Sequence, residues 1–164
     1  MNSKKLFIWG FLFMSVIGTL LHFVYEWSGN NSIVRLFAPR NESTWEHMKL
    51  LFFPMLALVL FLFFKLPEQS PIPVALSIGT LVGLALIPIL FYTYTGVLGF
   101  SVMAIDIAIF YISVLGAFLI GWFLNDNREL ANRRGLLLTC LVILAILFFI
   151  FSYYPPEIGL FQEP

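Results

Sequence analysis

Residues 41–64 read NESTWEHMKLLFFPMLALVLFLFF, a polar block at 41–49 that leads directly into an apolar run. The core of a bilayer is about 30 Å thick and needs about 20 helical residues to cross it. The segment from about Thr44 to Phe64 has that length. It therefore predicts a transmembrane helix whose start, at a membrane boundary, carries ionisable side chains.

The composition of the whole chain also indicates that most of its surface faces lipid. Hydrophobic residues make up 60% of the 164 residues, charged residues make up 11%, and the mean hydropathy is +0.95. A soluble domain has about half apolar and about a quarter charged residues. We therefore predict an all-α polytopic transmembrane helix bundle, since lipid leaves isolated backbone groups unsatisfied and no barrel pattern appears. The net charge of zero gives no basic face for nucleic acid, so the expected partner is the lipid bilayer.

Five segments meet the length requirement, and turn-forming or charged residues separate them. Lys4 and Lys5 precede an apolar run that is too long for a signal peptide, and no A-x-A-like cleavage site follows, so we predict a retained first helix. In the third segment, Gly79-x-x-x-Gly83 is typical of a helix-packing face. The predicted spans, within one transmembrane domain over 1–164, are about 6–27, 44–64, 72–95, 99–124 and 135–154.

The basic residues predict an orientation, because Lys and Arg accumulate in cytoplasmic loops. With five spans, the side of the N-terminus holds six of them and the opposite side holds three. We therefore predict the N-terminus inside and the C-terminus outside, with the polar block on the outer face. The six are Lys4, Lys5, Lys65, Arg128, Arg133 and Arg134, and the three are Arg35, Arg40 and Lys49.

Part of the polar block is explained by the start of a helix. Ser43-Thr44-Trp45-Glu46 matches the capping box, in which Ser43 and Glu46 satisfy exposed amide groups reciprocally. An ion pair between Glu46 and Lys49, three residues apart, is also expected. His47 has no such explanation.

The two histidines of the chain are predicted to meet. Ser15, Thr19, His22 and Glu26 are spaced four, three and four apart, so they share one face of the first helix. His22 lies about five residues inside the end of that helix, and His47 lies at a similar depth in the second. Antiparallel packing would bring both imidazoles to one level, surrounded by Glu26, Glu42 and Glu46.

Asp106 adds a carboxylate within the fourth predicted span, about seven residues from its outer end. A carboxylate near the centre of a span costs about 2.5–3.5 kcal/mol on insertion scales, so it should face a partner inside the bundle. Its depth matches that of His22 and His47, so we expect it at the same site.

Two imidazoles with several carboxylates form a ligand set that Zn²⁺, Fe²⁺ and Mn²⁺ favour. The spacings H-x-x-x-E and E-x-x-x-E-H put pairs of these residues on one helical face. A metal-free polar network is the open alternative, and a haem between His22 and His47 is less favoured because carboxylates surround them. The predicted ligands are His22, His47, Asp106, Glu26 and Glu42, with Glu46 or Glu26 as general base.

The run from His22 to Glu26, the block at 41–47 and the tail Tyr154-Pro155-Pro156 together resemble a family of small polytopic bacterial membrane proteins of unknown function. The resemblance covers most of the chain and implies a bacterial inner-membrane location, with no reaction or cofactor. It also implies a tail that continues past the Pro-Pro element. A chain that stops at Pro164 would then be a shorter member or a trimmed one.

Three functions fit these observations. The first is a membrane-embedded, hydrolase-like enzyme with an outward-facing metal site that acts on a small or lipid-borne substrate. The second is an ion- or proton-coupled transporter, for which a single five-helix unit without an inverted repeat is a poor candidate unless it forms a homo-oligomer. The third is a non-catalytic scaffold or partner subunit, in which the polar block is a structural network.

Overall fold

The computed structural model describes residues 3–164, which form five long α-helices and three short 3₁₀ helices without any β-strand. Each long helix is long and apolar enough to cross a membrane, so the predicted all-α multi-pass architecture is confirmed. The long helices are α1 (Ser3–Trp27), α2 (Thr44–Lys65), α3 (Ile72–Leu98), α4 (Met103–Leu124) and α5 (Arg134–Tyr153). The 3₁₀ helices lie at Val34–Leu36, Arg128–Arg133 and Gly159–Phe161.

The largest departure from the predicted bounds lies between α3 and α4. The sequence predicted a break from Gly96 and a fourth span from Gly99, but α3 continues to Leu98 and α4 begins at Met103. Gly99 has φ +80°, a left-handed conformation, and its N–H donates to the carbonyl of Thr95. Such a cap satisfies an end carbonyl and favours a residue without a β-carbon. The turn that follows the cap delays the start of α4.

Helix α2 occupies the middle of the bundle, where it packs against α1, α3 and α5. Half of its apolar window is buried, compared with 22% for α1. All five long helices contribute side chains to one continuous apolar core. Core members include Met14, Phe52, Met55, Leu62, Leu84, Val114, Phe118, Leu141 and Phe148.

Helices α3 and α4 make the closest contact in the bundle, through small residues. A β-carbon added at Gly83 would lie 2.8 Å from the carbonyl oxygen of Ser113, and one added at Gly79 would overlap the carbonyl oxygen of Ala117. Lipid tails are as apolar as leucine, so close backbone approach is what holds such helices together. The predicted packing face at Gly79 and Gly83 is therefore the α3–α4 interface.

One end of the bundle carries the polar block, and we call it the polar end. It collects the C-termini of α1, α3 and α5 and the N-termini of α2 and α4. The loop 28–43 and the tail 154–164 both contact it. The Tyr153 hydroxyl donates to the carbonyl of Ser32 at 2.8 Å, and the rings of Phe161 and Trp45 lie 4.9 Å apart.

A methyl group at Gly79 tests the close approach of α3 and α4. In Gly79→Ala the new β-carbon meets the backbone oxygen of Ala117, which cannot rotate away, so we expect a loss of about 1–3 kcal/mol in the free energy of unfolding. Gly96→Ala is the matched control, because Gly96 lies in the same helix with nothing within 4 Å of its added carbon. Unfolding of the purified protein in mixed detergent and SDS measures both. Equal stabilities of the two variants would contradict the interface.

Candidate metal centre

The polar block begins with a capped helix start. Ser43 has extended backbone angles, and its Oγ accepts the N–H of Glu46 at 3.4 Å, as the capping box predicts. The second contact of the capping box, from the N–H of Ser43 to the side chain of Glu46, was predicted wrongly. The N–H of Ser43 donates to Asn41 Oδ1 at 3.2 Å, so Glu46 is free to accept the N–H of Arg40 at 3.0 Å.

Lys49 is completely buried beside Glu46. Its Nζ lies 2.7 Å from Glu46 Oε2, which confirms the predicted ion pair. The other two ammonium protons have acceptors in the Ser152 hydroxyl at 2.6 Å and the Arg35 carbonyl at 2.9 Å. Lys49, which the sequence places among the basic residues of the outer side, is therefore buried inside the bundle. A lysine five residues inside an apolar helix was a signal for an internal partner.

Arg35 attaches the loop to the end of α5. Its Nε donates to the Ser152 carbonyl at 3.0 Å, and its guanidinium lies 4.4 Å from the centre of the Tyr153 ring. The last carbonyls of a helix have no intrahelical donor, so a cation there satisfies one of them. Ser152 thus binds Lys49 through its hydroxyl and Arg35 through its backbone. Sequence reasoning missed Ser152, because nothing in α5 marks which position faces Lys49.

The two imidazoles lie side by side, at one level of the bundle, as the sequence predicted. His22 of α1 and His47 of α2 have ring centres 5.3 Å apart and planes inclined by 26°. A haem held by both would require the rings on opposite faces of the macrocycle. Stacked rings leave no space for one, so the arrangement disfavours the haem alternative.

His47 is oriented by a backbone contact that leaves its other nitrogen for a ligand. Its Nδ1 lies 3.1 Å from the carbonyl oxygen of Ser43, which can only accept, so Nδ1 carries the proton. In a neutral ring, Nε2 then presents a lone pair, and it lies 3.3 Å from Oε2 of Glu42. A lone pair and a carboxylate oxygen repel each other at that distance. A cation bound by both atoms would remove that repulsion.

His22, Glu42 and His47 each offer one ligand atom, and these atoms all lie within 4.8 Å of one another. They come from α1, from the loop before α2, and from α2 itself. Nδ1 of His22 is buried and has no hydrogen-bond partner among residues 3–164. The side chain of Glu42 is 65% exposed and that of His47 is 31% exposed, so the cluster is open to solvent on one side.

A cavity of about 100 Å³ adjoins this cluster on the side of α1 and the loop. Glu26, another predicted ligand and general base, lines it. Glu46, the other predicted base, does not, because its carboxylate is buried against Lys49. Two of the three candidate ligands, His22 and Glu42, line the cavity, and His47 does not. The lining residues of the cavity are His22, Phe23, Tyr25, Glu26, Pro39, Arg40, Asn41 and Glu42.

Asp106 stands apart from the cluster. Because α4 begins at Met103, Asp106 lies in the first turn of that helix and is less deep than the predicted span placed it. The Tyr94 hydroxyl donates to its carboxylate and accepts the N–H of Val102 at 3.0 Å. Asp106 and Tyr94 thus join the two ends of the α3–α4 turn.

Comparison with known proteins identifies the family of the chain. The model of a family described as "Family of unknown function (DUF6512)" matches residues 1–164, the whole chain. No curated protein and no solved structure matches the chain. The match supplies no reaction, substrate or cofactor, so any activity has to be inferred from the polar end itself.

Replacing Lys49 tests whether the buried pair stabilises the polar end. Lys49→Met keeps an unbranched side chain but deprives the buried Glu46 of its cation, and breaking a buried pair costs about 3–5 kcal/mol. In Lys49→Met/Glu46→Gln the uncompensated charge is gone, so we expect the double variant to be more stable than the single one. Thermal unfolding in detergent measures this. Lys65→Met, at the exposed end of α2, is the control, and a Lys49→Met variant of equal stability would refute the role.

Proposed function

This chain belongs to the DUF6512 family, a family of unknown function, and we propose that it is a multi-pass membrane protein with a divalent-metal site at its polar end. The observation that supports the site is the convergence of ligand atoms from His22, Glu42 and His47 within 4.8 Å. The ions that fit two imidazoles and a carboxylate are Zn²⁺, Fe²⁺ and Mn²⁺.

The ligands need only a small movement to close on an ion. Ligand atoms at about 2.0–2.1 Å from a tetrahedral Zn²⁺ lie about 3.3 Å apart. Nε2 of His47 and Oε2 of Glu42 already have that separation, and the three ligand atoms all lie within 4.8 Å of one another. Glu42 is the group that can move, because most of its side chain is exposed. His47 already has the backbone hydrogen bond from Nδ1 to Ser43 that orients metal-bound histidines in other proteins.

Hydrolysis is the chemistry that such a site supports. Three protein ligands leave a coordination position for water, and a bound divalent ion makes that water a nucleophile near neutral pH. Glu26 is the better general base of the two that the sequence offered. It lines the cavity that His22 and Glu42 share, whereas Glu46 is engaged by Lys49.

We propose that the site faces outward in a bacterial inner membrane, with the N-terminus inside. The burial of Lys49 strengthens the charge asymmetry behind this orientation. Without Lys49, the outer side retains Arg35 and Arg40 among its loop charges, against six basic residues on the other side.

A scaffold or partner subunit is the second candidate function. It is favoured by the buried network in which Lys49 joins Glu46, Ser152 and the Arg35 carbonyl. That network explains Glu46 and Lys49 of the polar block as structural residues. It does not involve His22 or His47. A metal site therefore requires these two histidines, whereas a scaffold does not.

Metal analysis separates these two functions. Protein purified in detergent, loaded with Zn²⁺, Fe²⁺ or Mn²⁺ and freed of excess metal, should retain about one ion per chain. His22→Ala and His47→Ala each remove one of three ligands and should lose the ion. Asp106→Asn is the matched control and should retain it, because that carboxylate binds Tyr94. Elemental analysis gives the metal content.

Thermal unfolding with and without metal supplies a second readout, since an ion that binds the native state raises its melting temperature. We expect that rise in the wild type and in Asp106→Asn, and its loss in both histidine variants. A wild type without stoichiometric metal, or histidine variants that keep theirs, would exclude the metal site and leave the scaffold.

Cysteine labelling tests the orientation. Cys140 is the single native cysteine, so Cys140→Ser gives a background for Asn31→Cys in the first loop and Asn132→Cys before α5. In intact cells a membrane-impermeant maleimide should label Asn31→Cys and leave Asn132→Cys unlabelled until the cells are opened. The reverse pattern would mean that the polar end faces the cytoplasm.

A further inference from the structure

Arg40 lines the cavity beside the cluster and has one side-chain donor without a hydrogen bond, although its guanidinium is ion-paired with Glu46. Its side-chain Nε is buried and has no hydrogen-bond partner in the described part of the chain. Oε1 of Glu46 lies 4.0 Å away, beyond hydrogen-bond distance. Oε2 of Glu46 is taken by Lys49 and by the backbone N–H of Arg40. A buried, unpaired donor on a cation costs free energy unless a ligand satisfies it.

The net charge of the groups around the cavity attracts an anion only when a metal ion is bound. Among the carboxylates and the guanidinium that line it, Glu26 and Glu42 contribute two negative charges and Arg40 contributes one positive charge, a net charge of −1. A divalent ion at His22, Glu42 and His47 changes this to +1. An anion would then lie between two positive centres in a partly buried place, where electrostatic attraction is screened less than in water.

The size and the donors of the cavity indicate which anion. Its volume of about 100 Å³ corresponds to about three waters at 30 Å³ each, enough for a head group and not for a whole lipid. The guanidinium fork of arginine takes two oxygens of one group. A third oxygen is needed to reach the metal, which a carboxylate lacks and a terminal phosphate has.

We propose that this cavity binds the phosphate group of a phosphomonoester, held between Arg40 and the metal ion. The inference rests on the proposed metal site and names its substrate class. Asn41 and Tyr25 are further polar lining residues. Phe23, which lines the cavity, stacks on Trp27 with ring centres 5.7 Å apart, and both side chains are exposed near the end of α1. A lipid phosphate and a soluble phosphate present the same chemical group to the cavity.

Phosphate binding by the Zn²⁺-loaded protein in detergent tests the proposal, with inorganic phosphate as the probe. We expect wild type to bind it, metal-free wild type not to bind it, and Arg40→Gln to bind it about tenfold or more weakly while keeping its Zn²⁺. Arg40→Lys retains the charge without the fork and should fall between the two. Arg128→Gln, in the loop before α5, is the matched control with unchanged affinity. Metal content and melting temperature show that each variant is folded.

The results separate the two proposals. A wild type that holds no metal removes the metal site and this inference together. Zn²⁺-loaded protein that binds no phosphate, or binds it equally in Arg40→Gln, overturns the phosphate site alone. Reconstitution distinguishes the sources: in nanodiscs with phosphatidic acid, a lipid phosphate in the cavity would weaken the binding of inorganic phosphate relative to phosphatidylcholine discs. A soluble phosphate as the natural ligand would give equal affinity in both, and either result supports the site.

Discussion

The polar end depends on a single constraint, the need to satisfy every proton of one ammonium group that water does not reach. A charge in apolar surroundings is tolerated only when it is paired and fully hydrogen-bonded. Lys49 meets this condition with acceptors from three separate segments: Glu46 in its own helix, Ser152 in α5 and the carbonyl of Arg35 in the loop. The position of the loop and the register of α5 against α2 follow from that requirement.

The histidine cluster uses the same framework. Ser43 caps α2 and, through its carbonyl, also fixes the ring of His47. Asn41 replaces Glu46 in the cap, and this leaves Glu46 for Lys49. Structural and candidate functional groups therefore alternate along the block. Glu46 and Lys49 are buried in the bundle, whereas His47 stacks on His22 of α1 and Glu42 lines the cavity.

The helices were predictable because each is a long apolar run, and their number and type follow from hydropathy. The cap at Ser43 and the pairing of Glu46 with Lys49 were also predictable, since both are local contacts within one turn. The meeting of the two histidines required only antiparallel helices of similar depth. Contacts that depend on the rotation of a helix or on the exact end of a helix could not be predicted from the sequence.

Asp106 and Ser152 show why. Asp106 was grouped with the histidines from its depth alone, but the cap at Gly99 delays α4 and a tyrosine of α3 binds the carboxylate. Ser152 is one small hydroxyl in an apolar helix, and its role is set by the rotation of α5 about its own axis. The hydropathy pattern predicts how deep a residue lies along the membrane normal. It carries no information on which side of each helix faces which neighbour.

The uneven packing of the bundle has a consequence for the histidine pair. Close contact between small residues joins α3 to α4, and α2 is held by core contacts, but only 22% of the apolar window of α1 is buried. Most of that window is exposed on the surface of the bundle, and a helix in a membrane adjusts its tilt to the thickness of the surrounding hydrocarbon. Since His22 belongs to α1 and His47 to α2, the distance between the two rings becomes a property of the membrane as well as of the protein.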